Sequence, residues 1–294
     1  MRLAVPSAAG RRGRGAPYAL ALPGGAWLLL FFLIPILAAL SVSLQTGNPV
    51  NGFQLTWHFG EYSTAISMYG TQFVRSFEYG AISTGAAFLI AYPMAYWIAF
   101  HGGRHKSTYL FLILLPFFVS FVIRTLAWQF ILSDQGFVLT TLEKAHLIPA
   151  GTHVLSTPFA VIAGLTYNAL PFMVLPLYVA IEKIDRRVVR AATDLFARPA
   201  TAFLRVVLPL SAPGIFAGFL LVFVTNVGDY VNASILGGPG TTMIGNIIQN
   251  SYLNDLNYPM ASALSSILMA GLLIVIFLYA RTFGAATLQE YASA

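Results

Sequence analysis

Long apolar segments alternate with short polar ones along the chain, and this pattern predicts a bundle of membrane-spanning helices. A helix that crosses the roughly 30 Å hydrocarbon layer needs about 20 mostly apolar residues, because each residue adds about 1.5 Å. Six segments satisfy this requirement: 18–44, 73–100, 108–132, 157–181, 212–236 and 259–282. We therefore predict an all-α membrane protein with six transmembrane helices.

The composition also favours a membrane protein. Hydrophobic residues make up 57% of the chain and charged residues 9%, whereas soluble domains are about 45–50% apolar and about 25% charged. The chain has no cysteine, which excludes disulfide bonds and thiolate metal sites. The first apolar segment exceeds the core of about 7–15 residues found in signal peptides, so we expect it to be retained.

The positions of Lys and Arg predict how the chain is oriented in the membrane. Six of the 16 Lys and Arg residues lie within 183–205. Cytoplasmic loops are enriched in these residues, so we expect both termini and the loop at about 183–211 to be cytoplasmic. The predicted organisation is a tail (1–17), a transmembrane domain (18–282) and a second tail (283–294). Because the positive charge is confined to short segments between apolar runs, we expect no binding to nucleic acid.

The basic loop has the pattern of two short amphipathic helices. In the first, apolar residues recur at helical spacing and polar residues occupy the other face. The apolar positions are Ala191, Ala192, Leu195 and Phe196, and the polar ones are Arg190, Thr193 and Asp194. Pro199 is well placed to begin the second helix, whose apolar face includes Phe203. Such helices can lie flat on the lipid, or they can present an apolar ridge with a basic rim to a soluble partner.

This loop resembles a loop found in the permease subunits of ABC importers. There, E-A-A-x-x-x-G is followed some nine or ten residues later by an aliphatic residue and L-P. This chain has Arg190 in place of the usual Glu and Phe196 in place of the usual Gly. Glycine at that position of the family pattern permits a tight turn. In that family the loop docks in a cleft of a cytoplasmic ATPase. The resemblance therefore implies that the following residues couple this chain to an ATPase: Arg190, Ala191, Ala192, Asp194, Phe196, Arg198, Pro199, Phe203, Leu208 and Pro209.

Three further stretches, 115–137, 167–185 and 227–250, resemble the spermidine/putrescine importer permeases, and the similarity extends over 18–282. The resemblance implies the type I importer permease fold and a path for a small cationic solute such as a polyamine. It also implies a prokaryotic cell membrane and four kinds of partner: the lipid bilayer, a second homologous permease, an ATPase dimer and an external solute-binding protein. ATP and Mg would then be bound by the ATPase, with no cofactor on this chain.

Three ionisable side chains, Glu78, Arg124 and Asp229, lie inside predicted transmembrane helices. Each costs at least about 2.5–3.5 kcal/mol at mid-bilayer, so such residues usually face a cavity or a partner. One interpretation is an ion pair, either between Arg124 and Asp229 or between Arg75 and Glu78. The other is that an acid lines the path of a cationic solute. We expect Arg124 to be a structural partner, because an unpaired Arg would repel a polyamine.

Asp229 is the better candidate for the path, because Thr225, Asp229 and Asn232 would share one face of a continuous helix. Aromatic rings near it can contact an ammonium group or can serve simply for packing. The candidate path residues are Asp229, Asn226, Thr225, Asn232, Tyr230, Tyr167, Asn168, Trp128 and Glu78.

No catalytic or metal motif is found in the sequence. The nearest piece to a phosphate-binding P-loop, at 102–108, lacks the glycine before Lys106. His101 and His105 have the spacing of a zinc pair, but the two glycines between them favour a solvated turn. The chain is therefore predicted not to be an enzyme. A secondary transporter or channel that works alone is the alternative, although such a protein needs no loop for an ATPase.

Overall fold

The computed structural model describes residues 16–149 and 151–284, most of them helical. The first apolar segment consists of α1 (Ala16–Leu28) and α2 (Ile34–Val42), joined by a wide π-helical turn at Leu29–Leu33. A small antiparallel hairpin follows, formed by β1 (Gln45–Asn48) and β2 (Gly52–Leu55). The predicted tails 1–17 and 283–294 lie outside the described residues except at their inner ends.

The second helix is longer than the sequence predicts. α3 (Gly60–His101) has 42 residues and is therefore about 63 Å long, which exceeds the roughly 30 Å of hydrocarbon. The predicted start of this helix at residue 73 is wrong, because the helix already begins at Gly60. Apolar length identifies only the part of a helix that lies in lipid, and polar residues outside the membrane do not prevent the helix from continuing.

The third predicted span is a broken helix. It consists of α4 (Lys106–Leu114), a 3₁₀ turn at Leu115–Phe118, and α5 (Phe121–Leu132), to which α6 (Phe137–Lys144) is appended. The chain bends by 91° at this break. The bend lies beside Pro116, which cannot donate a backbone hydrogen bond, and Val119 has extended backbone angles.

The fourth span, α7 (Pro158–Glu182), lies at the centre of the molecule. The side chain of Thr157 accepts a hydrogen bond from the amide of Ala160 and caps its start. Small residues on α3, such as Ala91 and Ala95, are fully buried against Met173 and Leu177 of α7. Such small side chains let the two helix backbones approach closely.

The two short helices predicted for the basic loop are confirmed. They are α8 (Arg186–Asp194) and a second stretch made of α9 (Pro199–Ala202), a wide turn at Phe203–Val207 and α10 (Leu208–Leu210). The predicted continuous fifth span is wrong, because α11 (Ala212–Val227) ends nine residues before 236. After a break at Gly228–Tyr230 the chain resumes as α12 (Val231–Leu236).

The chain ends with α13 (Ile244–Leu253) and α14 (Tyr258–Tyr279), which closes with a π-helical turn at Ala280–Gly284. A 3₁₀ turn at Pro239–Thr241 precedes α13. Among the described residues, four helices are long and apolar enough to cross a membrane, or six if each of two bent helix pairs is one span. These pairs are Gly103–Phe118 with Phe121–Lys144, and Pro199–Leu210 with Ala212–Val227. The predicted number of six agrees with the upper figure.

Candidate functional site

Asp229 lies in the break between α11 and α12 and caps the start of α12. Its Oδ1 accepts a hydrogen bond from the amide of Asn232 (2.8 Å), and its Oδ2 accepts one from Asn232 Nδ2 (3.2 Å). Because α11 ends at Val227, the single helical face predicted for Thr225, Asp229 and Asn232 does not exist. A carboxylate at this position satisfies a free N–H of α12, which is a reason for the break that the apolar pattern did not reveal.

Asp229 is joined to Arg124 through two amides. Arg124 Nε donates to Asn168 Oδ1 (2.7 Å), and Asn168 Nδ2 donates to Asn232 Oδ1 (2.9 Å). Asn232 then donates to the carboxylate. We call Arg124, Asn168, Asn232 and Asp229 the amide relay. Every bond in it runs from donor to acceptor in one direction, from guanidinium to carboxylate, so the charges at its ends determine the orientation of both amides.

The predicted direct ion pair is therefore wrong. Among the described residues, no ion pair joins Arg124 to Asp229, because Asn168 and Asn232 lie between them. Arg124 is only 7% exposed. Its Nη1 donates to the carbonyl of Pro116 (3.0 Å), and the guanidinium lies 4.3 Å from the centre of the Phe117 ring. The relay thus contacts both helix breaks, one at each end.

The alternative ion pair is not formed either. Arg75 Nη1 donates to the carbonyl of Thr242 (2.9 Å), far along the chain. Glu78 is exposed, and within the described part of the chain it takes part in no hydrogen bond or ion pair. Glu78 therefore lies on the surface of α3, outside the relay.

The other candidate path residues differ in their surroundings. The rings of Trp128 and Tyr167 pack with their centres 5.2 Å apart, beside the relay residues of α5 and α7. Tyr230 is 43% exposed within the break, and Thr225 is exposed near the end of α11. Asn226 instead is buried and donates to Ser83 Oγ on α3 (2.8 Å), so it serves helix packing.

The start of α13 packs against the break. A Cβ added at Gly245 would lie 2.9 Å from the carbonyl oxygens of both Gly228 and Asp229, so only glycine allows this approach. Asn246 Nδ2 donates to the carbonyl of Tyr230 (2.8 Å) and to Ser234 Oγ (2.6 Å). Sequence reasoning missed Gly245 and Asn246. The spacing of Asn246, Asn250 and Asn254 on one helical face is the signal that points to them.

These asparagines line a polar cavity of about 380 Å³. The cavity is bounded by Ser234, Thr242, Asn246, Ile247, Gln249, Asn250 and Asn254, and none of these side chains is charged. Ser234 and Asn246 belong both to this cavity and to the surroundings of the break. The C-terminal end of α11 carries the negative end of its dipole and lies next to the carboxylate of Asp229. Neither Asp229 nor the end of α11 is among the residues that line the cavity.

The turn after α8 has the hydrogen bonds of a Schellman motif. The amide of Phe196 donates to the carbonyl of Thr193 (3.0 Å), and that of Ala197 donates to Ala192 (3.1 Å). Phe196 has φ of 61°, the left-handed conformation that glycine usually supplies. The turn therefore forms without glycine, and the Phe196 side chain is 97% exposed beside Leu195 at 82%.

The residues predicted to contact an ATPase differ in exposure. Most of them lie at the surface of the loop. These exposed residues are Arg190, Ala191, Asp194, Phe196, Arg198, Pro199 and Pro209. Phe203 instead packs edge-on against Tyr92 and Tyr96 of α3, with ring centres 5.5 and 5.6 Å apart. Leu208 also packs against the core, and Ala192 is partly buried. The second short helix thus anchors the loop, while α8 and its terminal turn are presented outward.

Comparisons with known proteins agree with this architecture. Residues 87–283 match the family described as "Binding-protein-dependent transport system inner membrane component". The chain is 38% identical over 256 residues to the spermidine/putrescine transport system permease protein PotB of Haemophilus influenzae, covering 87% of this chain and 90% of that protein.

Solved structures show the same fold at low sequence identity. A chain of a bacterial ABC transporter that imports the acidic polysaccharide alginate superposes with a TM-score of 0.69 at 19% identity, covering 92% of this chain and 95% of that one. The alginate transporter in complex with an alginate-bound periplasmic protein gives 0.67 at 20% identity, covering 90% and 92%.

Proposed function

The chain belongs to the family of binding-protein-dependent transport system inner membrane components, and on this premise we propose that it provides the path for a polyamine in an ATP-driven importer. As a member of this family it is a non-catalytic permease subunit of an ABC importer. The single observation that carries the proposal of a cationic solute is the carboxylate of Asp229, held at a helix break with its counter-charge two amides away.

The amide relay leaves the Asp229 carboxylate without a cationic side chain at contact distance. Arg124 is separated from the carboxylate by Asn168 and Asn232, so a cation can approach Asp229 with no guanidinium beside it. Trp128 and Tyr167 supply aromatic rings close to the relay, and such rings attract ammonium groups. The similarity to spermidine/putrescine permeases supports a polyamine. We assign Thr225 and Tyr230 to the same path because they are exposed at the break.

The partners follow from the family. A second homologous permease would complete the path, two ATPase subunits would bind ATP and Mg, and a solute-binding protein would deliver the solute from outside. The family description names binding-protein dependence and the inner membrane, and the alginate transporter was crystallised with its periplasmic protein. We propose that both termini and α8 are cytoplasmic, since the basic residues cluster there.

We propose that α8 and its terminal turn dock on the ATPase. The exposed Phe196 and Leu195 form an apolar tip, and Arg190 and Arg198 give it a basic rim. ATP binding would close the ATPase dimer and displace this tip. The displacement would rock the spans and expose the path to each side in turn, as differential contacts in the two states require.

Uptake of labelled spermidine into proteoliposomes that contain the complete complex tests this function. We expect Asp229→Asn to lower uptake about tenfold or more, because one lost charge contact of this kind is worth at least about 1.5 kcal/mol. Asp134→Asn is the matched control, since Asp134 is an exposed acid whose partner is His153, and it should leave uptake unchanged. Normal uptake by the Asp229→Asn complex would exclude Asp229 from the path.

A further inference from the structure

α3 makes specific hydrogen bonds near its C-terminal end and at two points further back along the helix. Near the cytoplasmic end, Arg186 Nη2 of α8 donates to the carbonyl of Ala99 (2.9 Å), and its guanidinium lies 5.5 Å from the centre of the Phe100 ring. In the middle, Ser83 accepts the bond from the end of α11. Fifteen residues after the start of α3, Arg75 donates to the carbonyl of Thr242. One helix therefore contacts the coupling loop, the helix break and the segment before α13.

The contacts of Arg75 and Ala99 are farther apart along α3 than the hydrocarbon layer is thick. Arg75 and Ala99 are about 36 Å apart along α3 at 1.5 Å per residue, which exceeds the roughly 30 Å of hydrocarbon. α3 remains helical between them, although Pro93 within it cannot donate a backbone hydrogen bond. A displacement of one end of a continuous helix is carried to the other end, whereas the broken helices α4–α5 and α11–α12 can bend at their breaks.

The contacts of Arg186 and Arg75 are each made to a backbone carbonyl rather than to another side chain. Arg186 contacts one of the last carbonyls of α3, where a positive charge also complements the helix dipole. Next to Arg75, Ser76 Oγ accepts a hydrogen bond from the amide of Ile244 (2.7 Å), which is one of the free N–H groups at the start of α13. The side chains of α3 thus position the start of α13, which packs on the break at Asp229.

We propose that α3 transmits movement between the ATPase-docking helix α8 and the external segment 237–246, and that Arg186 and Arg75 are the positioning residues where α3 contacts these two segments. This inference rests on the proposed function. It adds a route that bypasses the amide relay, because α3 reaches the mouth of the path without passing through Asn168. By thermodynamic reciprocity, events at segment 237–246 must then affect the ATPase as much as the ATPase affects that segment.

Hydrogen exchange of the complete complex in nanodiscs tests the route directly. Exchange of amides in 237–246 is measured with and without ATP plus vanadate, which acts on the ATPase alone. We expect a clear change in the wild-type complex and no change in Arg186→Ala or Arg75→Ala. Arg104→Ala and Lys144→Ala are the controls, since Arg104 bonds only to its neighbour His105 and Lys144 is exposed near the end of α6. Both should retain the wild-type response.

ATPase assays supply the reverse readout. We expect Arg75→Ala to keep the basal ATPase rate but to lose about tenfold of its stimulation by the solute-binding protein, within the usual range of allosteric coupling. The double variant with Arg186→Ala should lose no more than the single ones, because both act on one route. Ser76→Ala, which removes only the bond to Ile244, serves if an arginine variant fails to assemble, and it should also lower stimulation.

The outcomes separate the two proposals. A wild-type response in Arg75→Ala, Arg186→Ala and Ser76→Ala would overturn the role of α3, while the importer function stands. Additive losses in the double variant would also overturn it, since two independent contacts would then be involved. A wild-type complex that neither hydrolyses ATP nor takes up spermidine would instead contradict the proposed function.

Discussion

At the scale of single residues, Asn168 is the residue that links the two halves of the amide relay. It is buried on α7, accepts from Arg124 and donates to Asn232. We expect Asn168→Leu to destabilise the protein by about 2–3 kcal/mol, because Arg124 loses an acceptor while remaining buried. Thermal unfolding of the purified complex measures this loss. Unchanged stability would mean that Arg124 finds another acceptor.

A second substitution at the same residue separates stability from transport. Asn168→Asp gives Arg124 a carboxylate and so keeps the buried guanidinium paired, but its side chain can no longer donate to Asn232 when ionised. The relay is then cut, and a direct ion pair replaces it. We expect spermidine uptake to fall at least about fivefold while the complex remains assembled. Full uptake would exclude a role for the relay in transport.

Phe196 is the other residue whose local chemistry is unusual. Its left-handed backbone costs an ordinary side chain about 1–2 kcal/mol relative to glycine, yet the side chain contacts little of the chain and is 97% exposed. We expect Phe196→Gly to preserve or raise stability while uncoupling ATP hydrolysis from uptake. The ratio of solute imported to ATP hydrolysed is the measurement. If the ratio is unchanged, the turn alone matters and the aromatic side chain does not dock.

At the scale of elements, the contact between α13 and the helix break depends on Gly245. A methyl group there meets two carbonyl oxygens at 2.9 Å, so Gly245→Ala must push α13 away from Asp229. We expect lower uptake with the complex still assembled. Gly240→Ala is the matched control in the neighbouring turn, since a Cβ at Gly240 meets nothing within 4 Å. Equal effects of the two substitutions would show that this contact has no special role.

The helix breaks also mark what the sequence could predict and what it could not. Apolar length located six spans, if each of two bent helix pairs is one span, and the helical spacing of apolar residues located α8. The same criterion made the third and fifth spans continuous, because it measures transfer into lipid and not backbone geometry. Pro116 and Gly228 were visible, but membrane helices often tolerate such residues when neighbours satisfy the freed groups. Those neighbours, such as Asn168, lie far away in sequence.

At the scale of the whole molecule, the chain has the exposed surfaces expected of one subunit of a larger complex. Side chains of the first apolar segment, including Trp27 of α1 and Phe31 of the turn that follows, are exposed in the isolated chain. The apolar tip that follows α8, formed by Leu195 and Phe196, is also exposed, and the polar cavity beside α13 opens at the surface. A stand-alone secondary transporter would hold both of its gates within one chain. Here Asp229 lies at a helix break of one chain, and in the proposed importer a second permease would supply the other side of the path.

This difference predicts how the purified chain behaves by itself. Reconstituted alone in proteoliposomes, it should take up no labelled spermidine above the level of empty vesicles, whatever ion gradient is imposed, because no conformational cycle is driven without the ATPase. Vesicles that contain this chain together with the second permease, the ATPase and the solute-binding protein should take up solute. ATP is supplied on the side of the membrane that carries the ATPase. Removing ATP is the control, and uptake should then fall to background. Gradient-driven uptake by the chain alone would establish the secondary-transporter alternative, and the exposed α8 would then be a helix that lies on lipid.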